Sequence, residues 1–248
     1  MLYKDNDFGI FKFQQLDAFR SYEVYNIVLN PSKRSLYLDG FLSDIIFKSN
    51  RPKKQVSKGY DVKVWLNDFE PLTWRDLIIP DNITFMELDD IMKTLWGFHG
   101  FHLSCFLIEE YGITIADNDW IEESDVDCDF EVNETIISDI FDEYDKVTYW
   151  YDFGDNWRFD IEINKKIDYT KDYVTIKGFE GKYNPIEDCK GVYGLSYALY
   201  YAKNPDKIDS DYLSDLVESL EEFDMDLTQL VLENKVYTKS NWHRDACF

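Results

Sequence analysis

The segment between Val147 and Ile163 constrains the fold of this chain more than any other stretch. Two β-rich runs, Val147–Asp152 and Trp157–Ile163, flank a four-residue turn that contains glycine, aspartate and asparagine. Apolar side chains recur at every second position of the second run, so one of its faces is expected to be buried. Two runs separated by so short a turn pair as antiparallel neighbours, and the pattern therefore predicts a β-hairpin.

Periodicity elsewhere predicts further strands and helices. Alternating apolar residues indicate strands over Tyr60–Leu66 and Trp74–Ile79, and a third is predicted over residues 101–108. Apolar side chains at helical spacing predict a helix from Phe85 to Trp96. Because strands and helices do not alternate regularly, the pattern predicts an α+β fold with a largely antiparallel sheet and packed helices.

Capping signals mark the ends of the helix predicted after Trp74–Ile79. Thr84 and Glu87 form a capping-box pattern at its start, and Gly97 is suited to end it. The acidic side of the later helix over residues 210–223 is interpreted as a solvated face. The complete set of later helices is predicted over residues 136–141, 193–203, 210–223 and 227–234.

A short basic stretch that contains proline, Arg51–Gln55, indicates a linker. We therefore expect residues 1–55 to form an N-terminal β-rich extension or small subdomain. Residues 56–235 are expected to form the principal α+β domain, with a C-terminal tail over residues 236–248.

The charge balance limits the partners that such a chain would attract. It has 49 acidic and 26 basic residues among 248, and a net charge of −23. Such a surface repels phosphate backbones, so direct nucleic-acid binding is not expected. Two interpretations of the charge stay open: it serves solubility alone, or it attracts a basic protein partner.

Cysteine spacing and hydropathy indicate the compartment. The four cysteines include no pair close enough to form a CxxC zinc or redox motif. The first residues lack the apolar core of a signal peptide, and no apolar run reaches the roughly 18 residues that span a bilayer. We therefore expect a cytoplasmic protein with reduced thiols and no membrane association.

Several polar and aromatic residues form a candidate functional cluster near predicted strand ends and loops. Its carboxylates could act as general acid and base or hold a metal; alternatively, they cap turns and pair with Arg75 and Arg158. No metal site is expected, because His99 and His102 would lie on opposite faces of a strand. The complete candidate set is Trp74, Arg75, His102, Asp152, Asp155, Trp157, Glu187 and Asp188.

Four ordered motifs resemble the plasmid pRiA4b ORF-3-like protein family from about residue 58 to residue 235. The most distinctive of these motifs is Tyr151–Trp157. The other three are Pro71–Arg75 with Ile79–Pro80, Trp96–Phe98 with His102–Phe106, and Asn184–Gly191 with Tyr193–Gly194. The resemblance implies a compact α+β domain, an association with plasmids and mobile elements, and no established catalytic activity.

This chain departs from the family pattern at two histidine positions. Ser104 and Phe159 stand where the family usually has histidine, and Lys190 replaces a usual glycine. The resemblance therefore implies a reduced capacity for metal binding or proton transfer. We expect a non-catalytic binding or regulatory module of unknown cofactor; the alternative is a hydrolase-like or metal-dependent enzyme that uses the carboxylate and histidine cluster.

Overall fold

The computed structural model describes residues 57–117, 128–235 and 237–238. The N-terminal extension predicted over residues 1–55 and nearly all of the C-terminal tail lie outside the described residues. The domain boundaries therefore stay predictions.

An eight-stranded sheet organises the described chain in the order β5-β4-β3-β6-β7-β1-β2-β8. Every neighbouring pair is antiparallel except β4 and β5, which are parallel. The strands are β1 (Lys58–Leu66), β2 (Trp74–Pro80), β3 (Ser104–Ile108), β4 (Ile113–Ala116), β5 (Phe130–Glu131), β6 (Lys146–Tyr151), β7 (Trp157–Asp168) and β8 (Thr175–Glu180).

Within the described residues, five α-helices and one short 3-10 helix accompany the sheet. The helices are α1 (Phe85–Trp96), α2 (Ile137–Phe141), α3 (Gly191–Lys203), the 3-10 helix Pro205–Lys207, α4 (Asp211–Glu218) and α5 (Met225–Asn234). Helix α3 packs against α4, and α5 packs against both α1 and β8. The predicted α+β class, with its largely antiparallel sheet, is confirmed. Within the described residues, no helix combines the length and apolar character that crossing a lipid bilayer requires.

The predicted hairpin is confirmed, and it lies at the centre of the sheet. Strands β6 and β7 pair from Tyr151 opposite Trp157 to Lys146 opposite Glu162. The alternate apolar side chains of both strands are buried, as the period of two requires. Phe159 packs against Trp96 of α1 with ring centroids 4.6 Å apart, which joins the hairpin to the helix above it.

Helix α1 has the predicted bounds and caps. The side chain of Thr84 accepts a hydrogen bond from the amide of Glu87, and the Glu87 carboxylate accepts one from the amide of Thr84. Gly97 ends the helix in the left-handed conformation at φ 75°. Because these signals are local, they determine the ends of the helix without help from distant residues.

The observed elements differ from the predicted ones in three places. Strand β3 begins at Ser104 and not at residue 101, so residues 97–103 form a loop. The helix predicted over residues 210–223 ends at Glu218. Strands β4, β5 and β8 were not predicted, because β4 and β5 are only four and two residues long and β8 is an edge strand that contains Gly178.

Arg75 on β2 is fully buried. Its guanidinium carbon lies 3.8 Å from the ring centroid of Phe223 and 4.5 Å from that of Trp96. Nη1 donates to the carbonyl oxygens of Trp74 and Glu180, at 3.0 and 2.8 Å. Burial lowers the pKa of Arg75 to about 9. Its charge is therefore held by aromatic faces and carbonyl oxygens, and the expected pairing with cluster carboxylates is wrong.

Substitution of Asp160 should reveal a pH-dependent contribution to stability. Burial acts to raise the pKa of Asp160, but hydrogen bonds from Lys146 and Thr148 outweigh it and the pKa is lowered. A depressed carboxyl pKa stabilises the fold above the unfolded value of about 3.9. We expect Asp160→Asn to lower the free energy of unfolding by about 1 kcal/mol at pH 7.

The difference between Asp160→Asn and the native chain should vanish as the pH falls through the lowered pKa of Asp160. Urea unfolding at pH 7, 5 and 3 measures it. Asp168→Asn, which removes an exposed partner of Lys58, is the control and should change little. A deficit that persists unchanged at pH 3 would contradict the assigned role of the charge.

Candidate functional site

Three loops meet at one end of the central strands. The first, residues 97–103, joins α1 to β3 and carries His99 and His102. The second is the turn between β6 and β7, which begins at Asp152. The third is the segment before α3, which carries Glu187 and Asp188. The structure thus brings together four of the predicted site residues, His102, Asp152, Glu187 and Asp188.

His102 lies between two carboxylates. Its Nε2 is 3.4 Å from Oδ1 of Asp188 and 3.6 Å from Oδ2 of Asp152. Candidate ligand atoms from all three side chains lie within 4.8 Å of one another. The side chain of Asp152 is 9% exposed and that of Asp188 is 80% exposed, so the cluster has one buried wall and one open side.

The Nε2 atom of His102 is buried, yet it has no hydrogen-bond partner within the described residues. The imidazole packs against the ring of Tyr151 in an edge-to-face arrangement, with the two ring centroids 5.9 Å apart. Its backbone N–H donates to the Tyr151 hydroxyl at 3.4 Å. A buried nitrogen without a hydrogen bond is costly. In this structure the nitrogen lies between two carboxylates, at ion-pair distance from both.

The two carboxylate oxygens of Asp152 have different partners. Oδ1 accepts hydrogen bonds from the amides of Gly154 and Asp155, at 3.1 and 3.2 Å, and so closes the hairpin turn. Oδ2 is the atom that faces His102. The turn cap predicted for this residue is therefore observed, and its second oxygen faces His102.

Glu187 lies beside this triad and is nearly buried. Its Oε1 accepts a hydrogen bond from the hydroxyl of Tyr151, and its Oε2 is 3.7 Å from Nε2 of His99. Burial raises the pKa of Glu187, and the nearby His99 and the Tyr151 hydrogen bond act against that rise. Oε2 has no side-chain hydrogen bond in the described part of the chain, and its nearest cationic neighbour is His99.

The backbone at the site is held in an unusual conformation. Asp152, Asn156, Asp188 and Lys190 all have positive φ, between 52° and 74°. Aspartate and asparagine tolerate this region better than most residues, but each such position still costs free energy. The packing around the two loops must therefore impose these conformations, and they aim the carboxylates of Asp152 and Asp188 at His102.

Asp155 has a structural role. Its Oδ2 accepts from the amide of Cys189 at 2.9 Å, and both of its oxygens lie 3.1 Å from the amide nitrogen of Lys190. These bonds tie the hairpin turn to the start of α3. The carboxylate is used for this connection, so Asp155 is not a member of the His102 cluster.

Three other predicted site residues lie elsewhere. Trp157 is fully buried and packs 6.0 Å from Phe98 in the core. Trp74 is half-buried on the sheet, next to Trp65 and with Lys63 Nζ 3.9 Å from its ring. Arg75 contacts the aromatic groups described above. Trp74 and Trp157 are therefore packing residues, and neither lies over the cluster.

Sequence reasoning missed His99 and two tyrosines. His99 was set aside because a strand was expected at residue 101, and the loop conformation removes that objection. Tyr151 belongs to the most distinctive family motif but was not among the candidate site residues, and its hydroxyl donates to Glu187. Deeper inside, Asp89 accepts from the hydroxyls of Tyr149 and Ser104, at 2.8 and 2.6 Å, and forms an ion pair with buried Lys93. Helical spacing alone gave no signal for this network.

The spacing of the three ligands suits a metal ion. Ligand atoms bound about 2.1 Å from a metal lie roughly 3.0 to 3.5 Å apart when they are neighbours in its coordination shell. The separations of 3.4 and 3.6 Å from His102 Nε2 are close to that range. One imidazole nitrogen and two carboxylates suit ions such as Zn²⁺ or Mn²⁺, and three protein ligands leave at least one position open.

The fold and site together define an α+β protein with a carboxylate and histidine cluster at the loop end of an antiparallel sheet. The model of the Plasmid pRiA4b ORF-3-like protein family matches residues 58–230, and the chain belongs to that family. The resemblance of the four motifs is thus confirmed. The match covers every residue of the His102 cluster.

Two relatives show how little is established about this family. The chain is 28% identical over 105 residues to the uncharacterized protein y4hQ of Sinorhizobium fredii (strain NBRC 101917 / NGR234). That match covers 42% of this chain and spans about half, 52%, of the relative. A crystal structure of a protein of unknown function, MM3350 from Methanosarcina mazei Go1, is similar with a TM-score of 0.57 and 24% identity. It covers 70% of this chain and 98% of that one, which shows a shared fold.

Replacing Asp155 should test its structural role. We expect Asp155→Ala to lower the free energy of unfolding by about 2 kcal/mol, because two backbone amides lose a charged acceptor. Urea unfolding measures this loss. A variant as stable as the native chain would contradict the assigned role of this carboxylate.

Proposed function

We propose that this protein is a metal-binding module whose functional centre holds a divalent transition-metal ion at His102, Asp152 and Asp188. The observation that carries the proposal is the buried Nε2 of His102, which has no hydrogen bond within the described residues and lies 3.4 and 3.6 Å from two carboxylates. A metal ion would use that nitrogen and would balance the two negative charges.

The surrounding charge favours a cation at this position. Asp152, Asp188 and the neighbouring Glu187 offer three carboxylates around two imidazoles. The chain as a whole carries a net charge of −23, which raises the local concentration of cations. Imidazole ligation distinguishes such a site from one for Ca²⁺ or Mg²⁺, which prefer oxygen ligands alone.

A binding role is favoured over catalysis by the shape of the surface. Two clefts in the described part of the chain are lined by other residues, around Phe223 and around Tyr111. The cluster lies in neither of these clefts, although substrate sites are usually enclosed pockets. A bound metal there would order the three loops and link them to each other.

Removing single ligands should abolish metal binding without unfolding the chain. We expect His102→Ala and Asp152→Asn each to weaken zinc binding at least 100-fold, because a ligand is lost. Asp152→Asn keeps the turn, since the asparagine carbonyl can still accept from Gly154 and Asp155 and tolerates positive φ. Calorimetric titration of the metal-free full chain with Zn²⁺ and Mn²⁺ measures the affinity, and native mass spectrometry gives the stoichiometry.

Asp168→Asn is the matched control, because Asp168 is an exposed carboxylate paired with Lys58 away from the cluster. It should bind one ion with native affinity. Native-like affinity in both His102→Ala and Asp152→Asn would overturn the proposed site.

Hydrolysis is the second candidate function, and the open coordination position favours it. A metal-bound water in that position would have a lowered pKa and could attack an ester. Release of nitrophenolate from bis(p-nitrophenyl) phosphate and p-nitrophenyl acetate by the zinc-loaded chain tests this candidate. A hydrolysis rate that is lost in His102→Ala would establish this candidate. If the native chain and Asp152→Asn hydrolyse the substrates at the same rate, metal binding would stay the only proposed function.

A further inference from the structure

Helix α3 exposes a stripe of tyrosines that no described part of the chain covers. Tyr193, Tyr197 and Tyr200 recur at intervals of four and three residues, so they lie on one helical face. They are 77%, 58% and 47% exposed. Opposite them, Leu195 and Ala198 are buried against the core. Large exposed aromatic side chains in one row are typical of protein interaction surfaces, where tyrosine is enriched.

Helix α4 packs against α3 and exposes carboxylates to solvent. Lys207 is the only basic residue between positions 204 and 220. Among the described residues, no lysine or arginine forms an ion pair with the carboxylates of this stretch. The exposed carboxylates are those of Asp206, Asp209, Asp211, Asp215 and Glu218.

The Tyr200 hydroxyl at the end of the stripe already accepts a hydrogen bond from a lysine of this chain. Nζ of Lys207 lies 4.8 Å from the ring centroid of Tyr200 and donates to its hydroxyl at 2.5 Å. The ring faces of tyrosine attract cations, and arginine stacks on them more readily than lysine. Tyr193 and Tyr197 are more exposed than Tyr200, so their rings are accessible to cations from outside.

We propose that the tyrosine stripe of α3 and the carboxylates of α4 form a docking surface for an arginine- and lysine-rich segment of a partner protein. The tyrosines would stack on its guanidinium groups, and the carboxylates would pair with its charges. Charge complementarity selects this partner, because the net charge of −23 opposes nucleic acid and a second copy alike. The proposal is independent of the metal site.

The test uses a fluorescein-labelled 12-residue peptide of alternating arginine and serine, with the full-length protein and fluorescence anisotropy at low salt. We expect saturable binding. In the double variant Tyr193→Leu/Tyr197→Leu the Kd should rise about tenfold, because two cation–π contacts are lost while apolar area is kept. The Tyr193→Phe/Tyr197→Phe variant should retain most of the affinity.

A second pair of variants tests the carboxylates. Asp215→Asn/Glu218→Gln should weaken peptide binding several-fold and reduce its dependence on salt. The matched controls are Tyr111→Leu, which removes a tyrosine of 60% exposure outside α3, and Glu110→Gln/Glu134→Gln, which removes two exposed carboxylates outside α4. Both controls should bind like the native chain.

Other occupants give distinct results, and each overturns the proposal. Failure of the native chain to bind the peptide would overturn the proposal. Equal losses of affinity in the test and control variants would overturn it too, because they would show that binding depends only on the net charge of the protein. A mass by light scattering that falls from dimer to monomer in Tyr193→Leu/Tyr197→Leu would assign the stripe to a second copy. Binding of a single-stranded oligonucleotide that depends on the same tyrosines would assign it to nucleic acid.

Discussion

The hydrogen bond from the Tyr151 hydroxyl to Glu187 joins the sheet to the segment before α3, and the site depends on that connection. Tyr151 is fully buried at the end of β6 and stacks on Phe98 with ring centroids 4.2 Å apart. The same hydroxyl accepts the backbone N–H of His102. One tyrosine therefore positions residues from two loops, and burial raises its pKa well above the usual value, so it stays a neutral donor.

Buried charge in this protein is arranged in two different ways. Arg75 has aromatic faces and carbonyl oxygens around it, so its cation is held without a carboxylate. At the site, by contrast, Glu187 and Asp152 are almost buried close to two histidines, and key atoms lack hydrogen bonds within the described chain. Neither arrangement is fully hydrogen-bonded within the described chain, because Nε and Nη2 of Arg75 also lack partners there. The two differ in what surrounds the charge: aromatic rings and carbonyl oxygens at Arg75, and carboxylates with imidazoles at the site.

The sequence could predict those parts of the fold whose signals are local. The hairpin and α1 follow from alternation, turn residues and caps within a few positions of each other. The site was predictable only in part, because Asp152, Glu187 and Asp188 stand in loops whose approach to His102 depends on tertiary packing. His99 was excluded by extending β3 three residues too far. The alternation of apolar and polar residues could not show that the strand begins only at Ser104.

The positions where this chain lacks the family's usual histidines do not lie among the three proposed ligands. Ser104 donates to Asp89 in the interior network, and Phe159 packs on Trp96 in the core. A histidine at either position would therefore face the interior, where Asp89 and Lys93 already form an ion pair. In this chain Ser104 and Phe159 contribute to interior packing, and the site proposed at His102, Asp152 and Asp188 uses neither position.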